Sequence, residues 1–285
     1  MLSIIIRTKN EEAMLGQLLS SLFSQTYKEI EVLIIDSGST DNTLQIAAQY
    51  PVSIHKITQE SFTYGYALNY GFKLARGEFV ACLSAHALPA DNNWIEQSLK
   101  HFSNNEVAAV MSRIIPRPDC NPFDTRGLIK KYSIPAQDLT SDFYCFFSNT
   151  CSLIRKSVWE EIPFDERLPY AEDDLWFHRA IAAGHKVRYD PDIQVYHSHN
   201  DSLRQLYARS KHLADAMMTL QYHTYTFSGI LYDLLAGSLY DMFYVLYKCS
   251  DLKWFFLAPM RRTMINYARY QSIRRRRDLP GVLCA

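Results

Sequence analysis

The chain contains no run of about 18 consecutive apolar residues, the length that a bilayer-spanning helix requires. A spanning helix is therefore not predicted, although 48% of the 285 residues are hydrophobic. This apolar content is enough to bury a full core, so we expect one large globular domain, or one domain with an appendage. No internal repeat occurs along the chain.

Net charge is also absent, because 30 lysines and arginines balance 30 aspartates and glutamates. No global field attracts nucleic acid, and no nucleic-acid partner is predicted. The six cysteines form no CxxC pair, so a zinc knuckle is not indicated and reduced thiols of a cytosolic protein are expected. The first residues lack a basic segment and are interpreted as a core strand, so no export is expected.

Strand and helix patterns alternate over the first hundred residues. Apolar strands are predicted at 2–6, 31–35, 52–57 and 78–83, and helices with apolar residues at helical spacing at 12–23, 41–50 and 67–75. This alternation predicts an α/β fold with a mostly parallel sheet and helices on both faces.

The pattern loosens after Asp91. A helix is predicted at 93–102, a strand at 107–115, a proline-rich polar loop at 116–142, strands at 146–154 and 187–196 around a helix at 172–183, and helices at 202–219 and within 227–270. We therefore divide the chain into an α/β domain, residues 1–201, and a helical C-terminal extension, residues 202–285.

Polar residues follow three of the buried strands at the point where each strand ends. Ser84 and His86 follow the fourth strand, and the segments 7–12 and 36–41 follow the first and second. The carboxyl ends of parallel strands form the usual ligand-binding edge of such a sheet. Neither segment has the GxGxxG or GxxxxGK[ST] spacing, so a dinucleotide fold and a P-loop are not indicated. Helix capping by Asn10, Ser39 and Asp41 is the alternative interpretation.

Five segments in order resemble the motifs of family-2 glycosyltransferases. They are Thr8-Lys9-Asn10-Glu11, Asp36 to Asp41, Tyr64 to Gly71, Ala75-Arg76-Gly77-Glu78 and Ala171 to Leu175. The resemblance covers residues 2 to 200. It implies a GT-A fold, a nucleotide-diphosphate sugar as donor, and inversion at the anomeric carbon.

The sequence departs from the family where the fourth strand ends. The family has an Asp-x-Asp motif there, whose last carboxylate binds a divalent metal, and this chain has Ser84-Ala85-His86. A neutral imidazole can bind manganese or zinc, whereas magnesium prefers oxygen. Three roles are therefore open for His86: it holds a metal (Mn or Mg), it donates directly to the diphosphate, or it is a structural histidine with its hydrogen bonds satisfied. By the resemblance His197 completes the metal site, with His199 beside it; both are otherwise polar strand-end groups.

The resemblance assigns the chemistry to Glu172-Asp173-Asp174. Inverting transfer needs one base to take the proton of the acceptor hydroxyl, and the family match makes Asp173 that base, with Glu172 orienting the acceptor or supporting the loop. The alternative is an acidic first turn that is favourable to the helix dipole, and both roles are compatible.

The nucleotide site is assigned more loosely by the same resemblance. Thr8, Asn10, Glu11, Asp36, Ser37, Asn69, Ser84 and His86 are the predicted donor-binding residues. Since the basic residue that sometimes precedes Asn69 is Leu68 here, Arg113, Arg117 and Arg126 are candidates for compensating the diphosphate charge. Ser148-Asn149-Thr150 resembles the family segment beneath sugar and acceptor.

The combination of segments 36–41, 83–87 and 197–200 resembles a bacterial branch associated with rhamnosyl transfer in surface polysaccharides, which implies a deoxythymidine-diphosphate sugar. The acceptor is then a glycan or a lipid-linked saccharide. The aromatic and basic C-terminal third is compatible either with contact to the inner face of the plasma membrane, the chain being otherwise cytoplasmic, or with a helical core or homodimer interface. A sugar nucleotidyltransferase and a non-catalytic sugar-nucleotide binder are the alternative functions.

Overall fold

The structure is a computed structural model that describes residues 1–220, 224–249 and 251–277. It contains two compact units: Met1–Pro118 with Gly127–Ser198, and Asp119–Arg126 with His199–Ala285. From the sequence, the boundary between the α/β domain and the helical C-terminal extension is expected after residue 201. The structure places it at 198 and adds the short segment 119–126 to the C-terminal unit.

The first unit is built on one mixed sheet. Its strands are β1 (Leu2–Thr8), β2 (Ile30–Asp36), β3 (Ser53–Lys56), β4 (Phe79–Ser84), β5 (Leu88–Pro89), β6 (Val107–Ile115), β7 (Gln137–Asp138), β8 (Cys151–Arg155) and β9 (Lys186–Tyr196). The order across the sheet is β3-β2-β1-β4-β8-β6-β9-β5, and β7 pairs with β9.

The direction of the strands changes in the middle of this sheet. Strands β1 to β4 are parallel to one another, as predicted, and β6 is parallel to β9. Strand β8 lies between the two groups and runs antiparallel to both β4 and β6. The α/β class predicted from the sequence is confirmed. The half of the sheet that begins at β8 contains antiparallel pairs and is less parallel than predicted.

The helices are α1 (Leu15–Phe23), α2 (Thr43–Ala47), α3 (Tyr64–Leu74), α4 (Trp94–Lys100), α5 (Pro122–Tyr132), α6 (Lys156–Glu161), α7 (Glu172–Ala182), α8 (Leu203–Thr219), α9 (Phe227–Tyr232), α10 (Ser238–Lys248) and α11 (Lys253–Arg277). In the first unit, helix α1 buries Leu15, Leu18, Leu19 and Leu22 on one face. Strand β1 is buried along nearly its whole length, as expected for a strand covered on both faces.

Two segments differ from the sequence-based expectation. The region 116–142, predicted to be a loop, contains α5, which starts at Pro122, a position where a missing N–H costs nothing. The strand predicted at 146–154 is shorter, because β8 begins at Cys151 and residues 145–150 form turns. These turns place backbone N–H groups beside the acidic start of α7, as the hydrogen bonds of the site show.

The second unit has a small core of its own, Phe123, Val245 and Ala258. Helix α8 starts with a capping box, in which Ser202 and Gln205 satisfy each other's backbone N–H groups. Helices α10 and α11 are joined by ion pairs: Asp241 binds Arg262 at 2.6 Å, and Asp233, in the π-helical turn between α9 and α10, binds the same guanidinium at 2.8 Å.

In the part of the chain that the structure describes, the helical stretch Phe227–Lys248 is long and apolar enough to cross a membrane by length and composition alone, and 22% of its window is buried. One such helix is weak evidence for a span. The sequence prediction against a span rested on uninterrupted apolar runs, and Asp233 and Asp241 interrupt this one.

Candidate functional site

The ends of β1, β2 and β4 meet at one edge of the sheet. Thr8 lies opposite Asp36 in the register of β1 and β2, and Arg7 lies opposite Ser84 in the register of β1 and β4. Since all three strands are parallel, the predicted donor-binding residues at their ends are brought to the same edge.

The loops that follow β1 and β2 are tied together by hydrogen bonds. The Asn10 side chain accepts from the Thr40 N–H at 2.8 Å, and the Asn10 N–H donates to the Ser39 hydroxyl at 2.9 Å. Asn10 has a left-handed backbone, φ 55°, which asparagine tolerates better than most residues. The two loops therefore form one polar surface.

Asp36 organises the second of these loops. Its carboxylate accepts from the Gly38 and Ser39 N–H groups, at 3.0 and 3.1 Å, and from the Thr8 hydroxyl at 3.2 Å. Gly38 has a φ of 94°, a conformation that side chains disfavour. The buried Ser37 donates its N–H to the Thr8 carbonyl at 3.1 Å. The contact of Asp36 and Ser37 with a nucleotide stays a prediction.

A pair of histidines lies where the family has its acidic motif. The Nε2 atoms of His86 and His197 are 3.0 Å apart. The other ring nitrogen of His86, Nδ1, lies 2.9 Å from Oε1 of Glu11, and the Ser84 hydroxyl lies 3.3 Å from Nε2. Glu11, predicted to bind the nucleotide, thus contacts the histidine. His199 belongs to the second unit, and its predicted role as a ligand stays a prediction.

This arrangement fits a transition-metal ion. When Nδ1–H of His86 donates a hydrogen bond to the Glu11 carboxylate, the Nε2 lone pair of His86 is left for a ligand, the usual partnership of a carboxylate with a metal-binding histidine. Two imidazole nitrogens that bind one ion at about 2.1 Å and at right angles lie about 3 Å apart. The distance between the two Nε2 atoms meets this condition.

The predicted catalytic acids form the first turn of α7. Asp173 accepts from the N–H of Asn149 at 3.2 Å and from the N–H of Asp174 at 2.9 Å, and Asp174 accepts from the Cys145 N–H at 2.6 Å. The preceding residue, Ala171, has a φ of 65°. The turn before the helix and the turns at 145–150 therefore hold these carboxylates in place.

Arg7 connects the acids to the edge of the sheet. Its Nη1 lies 3.3 Å from Oε1 of the buried Glu172, and its guanidinium lies over the Tyr64 ring at 4.9 Å. Arg7 is the last residue but one of β1, and the sequence motifs predict no role for it. A cation at the end of a buried strand was the signal that could have identified it.

Burial controls the charge of the acids. Desolvation raises the pKa of Asp173 above its usual value, while the Asn149 N–H and the Arg7 guanidinium oppose that rise. Glu172 has a raised pKa for the same reason and because Asp173 is nearby, again opposed by Arg7. Burial and the charge of Asp173 raise the pKa of Asp174 to about 7. Raised pKa values are suited to a proton acceptor near neutral pH.

Some predicted residues are engaged elsewhere in the fold. The Asn69 amide makes four hydrogen bonds: it donates to the Phe164 carbonyl and Glu166, and accepts from Trp159 Nε1 and the Phe164 N–H. These bonds use its full capacity, so we interpret Asn69 as structural, and its nucleotide contact stays a prediction.

The three candidate arginines also have partners. Arg126, in the second unit, pairs with Asp241, Arg113 donates to Ser133 at 3.4 Å, and Arg117 contacts Met14. Within Ser148-Asn149-Thr150, Asn149 touches Asp173 through its N–H. Compensation of the diphosphate charge by these arginines stays a prediction.

A family model described as "Glycosyl transferase family 2" matches residues 3–162. The chain belongs to this family. The family resemblance predicted from the sequence is therefore confirmed, and the match ends before the acidic turn of α7.

Two curated relatives of this glycosyl transferase family 2 chain are named as rhamnosyltransferases. O-antigen chain rhamnosyltransferase WbaN of Salmonella anatum is 34% identical over 197 residues, which cover 65% of this chain and 62% of the relative. O-antigen chain rhamnosyltransferase RfbN of Salmonella typhimurium is 30% identical over 221 residues, 73% of this chain and 69% of the relative. The chain thus spans less than two thirds of the first relative's length.

Solved structures confirm the GT-A expectation for the fold of this family-2 chain. Mannosyltransferase PcManGT from Pyrobaculum calidifontis, in complex with GDP-Man and Mn2+, has a TM-score of 0.63 and 17% identity and covers 96% of this chain and 86% of its own. S. aureus TarS 1-349 in complex with UDP has a TM-score of 0.60 and 18% identity over 97% and 91%. At these identities the likeness concerns the fold alone.

Proposed function

We propose that this chain is an inverting glycosyltransferase that moves a sugar from a nucleotide-diphosphate sugar to a hydroxyl of a glycan or lipid-linked saccharide in surface polysaccharide synthesis. The observation that carries the proposal is the half-buried Asp173 carboxylate, held by two backbone N–H groups at the start of α7. Through Glu172 and Arg7 it is connected to the edge where β1, β2 and β4 end. The family membership and the relatives' names support it.

Asp173 acts as the base in this mechanism. It takes the proton of the acceptor hydroxyl while that oxygen forms a bond to the anomeric carbon, and the bond from that carbon to the diphosphate oxygen breaks on the opposite face. The electron pair leaves with the nucleoside diphosphate, so the configuration inverts. The N–H groups of Asn149 and Asp174 hold the carboxylate oxygens in place, and Arg7 favours the ionised form.

His86 and His197 are the residues that would hold a divalent ion, with Glu11 on the far side of His86. A bound ion would supply positive charge to the departing diphosphate. Two imidazoles favour manganese or zinc over magnesium. We therefore place manganese ahead of magnesium in the choice that the sequence left open.

The donor proposed is a deoxythymidine-diphosphate sugar, with rhamnose as the sugar. Two relatives are named rhamnosyltransferases, and this supports the proposal. Thr8, Asn10, Asp36 and Ser37 line the tied loops and would contact base and ribose. The chain would act at the cytoplasmic face of the membrane, where a lipid-linked acceptor is presented, as a peripheral protein or as a homodimer.

Donor turnover tests this function. The full-length protein is incubated with a panel of nucleotide sugars, with and without manganese, and release of nucleoside diphosphate is measured. We expect one donor to turn over, and Asp173→Asn to reduce turnover at least about a thousandfold, in the range typical of a lost general base, while donor binding by calorimetry is kept. Asp192→Asn, at an exposed position of β9, is the matched control.

Two results would contradict the proposal. Donor binding without turnover would indicate a non-catalytic binder, and consumption of a nucleoside triphosphate with a sugar phosphate would indicate a nucleotidyltransferase. When an acceptor is found, the anomeric configuration of the product, read by NMR coupling constants, tests inversion.

A further inference from the structure

The second unit exposes an apolar face on the stretch Phe227–Lys248. Six side chains at intervals of four residues are exposed there; this outer face comprises Phe227, Leu231, Leu235, Leu239, Phe243 and Tyr247. Phe243 is 69% and Tyr247 83% exposed, which is unusual for aromatic residues of a soluble protein.

The backbone geometry keeps the six residues of the outer face on one side of the helical stretch. In a straight α-helix, residues spaced by four drift by about 40° at each step, because a turn takes 3.6 residues. The π-helical turn Asp233–Gly237 lies in the middle of the stretch and takes more residues per turn, which reduces the drift.

The opposite side of the stretch is polar and paired. Asp233 accepts from Arg262 at 2.8 Å, from Arg269 at 3.0 Å and from Asn266 at 2.9 Å, and Asp241 accepts from Arg262 at 2.6 Å. These partners all lie on α11. A stretch that crossed a bilayer would have to take these charges into the hydrocarbon or abandon the pairs, and a charged side chain near the bilayer centre is strongly unfavourable.

The charge of the second unit favours an anionic partner. It holds 13 lysines and arginines against eight aspartates, a net +5, and leaves a net −5 on the first unit. Lys248 is exposed at the end of the stretch, next to Tyr247. Lys253 and Leu252 are exposed at the start of α11, where Lys253 also pairs with Asp251 at 2.8 Å. Tyrosine and lysine beside an apolar face are typical of helices that lie in the headgroup region.

We propose that the outer face of Phe227–Lys248 binds an anionic bilayer surface and lies in the plane of the headgroups without crossing the membrane. This deepens the proposed peripheral location and rests on it. Aromatic burial supplies the apolar part of the binding, and the excess cations of the unit supply the attraction to acidic lipids.

Vesicle co-sedimentation of the full-length protein tests the proposal. We expect binding to phosphatidylcholine vesicles that contain phosphatidylglycerol, and at least about tenfold weaker binding to phosphatidylcholine alone, in line with about 1 kcal/mol for each basic residue near an acidic surface. Alkaline carbonate should release the bound protein, because the stretch Phe227–Lys248 lies in the headgroup region and does not cross the bilayer.

Two variants with a matched control make the test specific. Phe243→Gln with Tyr247→Gln should weaken vesicle binding at least about tenfold, since each removes a large exposed apolar group. Lys248→Gln with Lys253→Gln should reduce the dependence on phosphatidylglycerol. Ile129→Gln, at a 48% exposed position of the first unit, should change neither.

Three results would overturn the proposal. They are absence of binding to the anionic vesicles, binding that the aromatic variant leaves unchanged, and retention after carbonate extraction, which would indicate a span. A dimer seen by light scattering and dissociated by the aromatic variant, without vesicle binding, would assign the face to a second copy of the chain. Donor turnover, measured in parallel without lipid, distinguishes a failed membrane proposal from a failed function.

Discussion

At the scale of single residues, Arg7 determines how the acidic turn is charged. The guanidinium lowers the pKa of both Glu172 and Asp173, Lys131 also lowers that of Asp173, and the Tyr64 ring packs against the guanidinium. Burial favours the protonated acids, and Arg7 favours the ionised ones. Asp173 must be ionised to act as the base, so its activity depends on the charge of Arg7, which is paired with Glu172.

The variant Arg7→Met tests this dependence. We expect the rising limb of the pH–rate profile for donor turnover to move to higher pH, because removal of the guanidinium lets the pKa of both acids rise further. Arg7→Lys keeps the positive charge, so its rising limb should lie between those of Arg7→Met and the unaltered protein. A profile that falls in height without moving in pH would show that Arg7 acts on structure alone.

A second residue-scale prediction concerns Glu11 and the histidine pair. We expect His86→Ala to abolish manganese binding and Glu11→Gln to weaken it about 10- to 100-fold, the usual effect of losing the carboxylate behind a histidine ligand. Manganese binding is measured by electron paramagnetic resonance of the free ion. His101→Ala is the control, since His101 also pairs with a carboxylate, Asp190, at 2.8 Å. Unchanged binding in Glu11→Gln would refute the role given to Glu11.

At the scale of elements, the acidic first turn of α7 lowers the stability of the fold at neutral and higher pH, because it buries a carboxyl group. The pKa of Asp174 is raised from 3.8 to about 7 in the folded chain. The folded state therefore holds a proton that the unfolded state has lost between about pH 4 and pH 7. Because the unfolded state binds fewer protons in that window, stability falls as pH rises through it and is lowest above pH 7.

The variant Asp174→Asn should remove this pH dependence. Its amide oxygen can still accept from the Cys145 N–H, and no charge is buried. We expect the free energy of unfolding at pH 8 to rise by on the order of 2 to 4 kcal/mol over the unaltered protein, and the difference to vanish near pH 4. Chemical denaturation at both pH values measures it, and an equal difference at both would contradict the assignment.

The sequence predicted elements better than their arrangement. Strands β1, β2, β4 and β6 follow from apolar runs, and α7 follows from its acidic start and apolar spacing. The direction of β8 does not follow, because its apolar pattern is the same in either direction and its neighbours β4 and β6 are distant in the chain. The turns at 145–150 were missed because aromatic residues there favour a strand.

For the candidate site, the motifs indicated which residues assemble but not how they are paired. His86 and His197 were expected to lie together, and their Nε2 atoms are 3.0 Å apart. The contacts of Glu11 with His86 and of Arg7 with Glu172 join residues 75 and 165 positions apart, and no local pattern reveals such pairs.

At the scale of the whole molecule, each unit has its own hydrophobic core. The sheet and its helices enclose one core, while Phe123, Val245 and Ala258 form a separate one in the second unit. Cores that are separate in this way favour separate cooperative transitions. In the second unit the ion pairs of Arg262 with Asp233 and Asp241 supplement a small core.

Arg262→Met should therefore destabilise the second unit alone. It leaves the buried Asp241 with one arginine partner and Asp233 with Arg269, and breaking a buried pair typically costs about 3 to 5 kcal/mol. We expect hydrogen exchange, read by mass spectrometry, to speed up in α8, α10 and α11 and to stay unchanged in β1, β2 and β4. Arg274→Met, at an exposed position of α11, is the matched control and should change neither region. Faster exchange throughout the sheet would show instead that the two units unfold together. In that case the loss of one ion pair would also speed up exchange at the acidic first turn of α7.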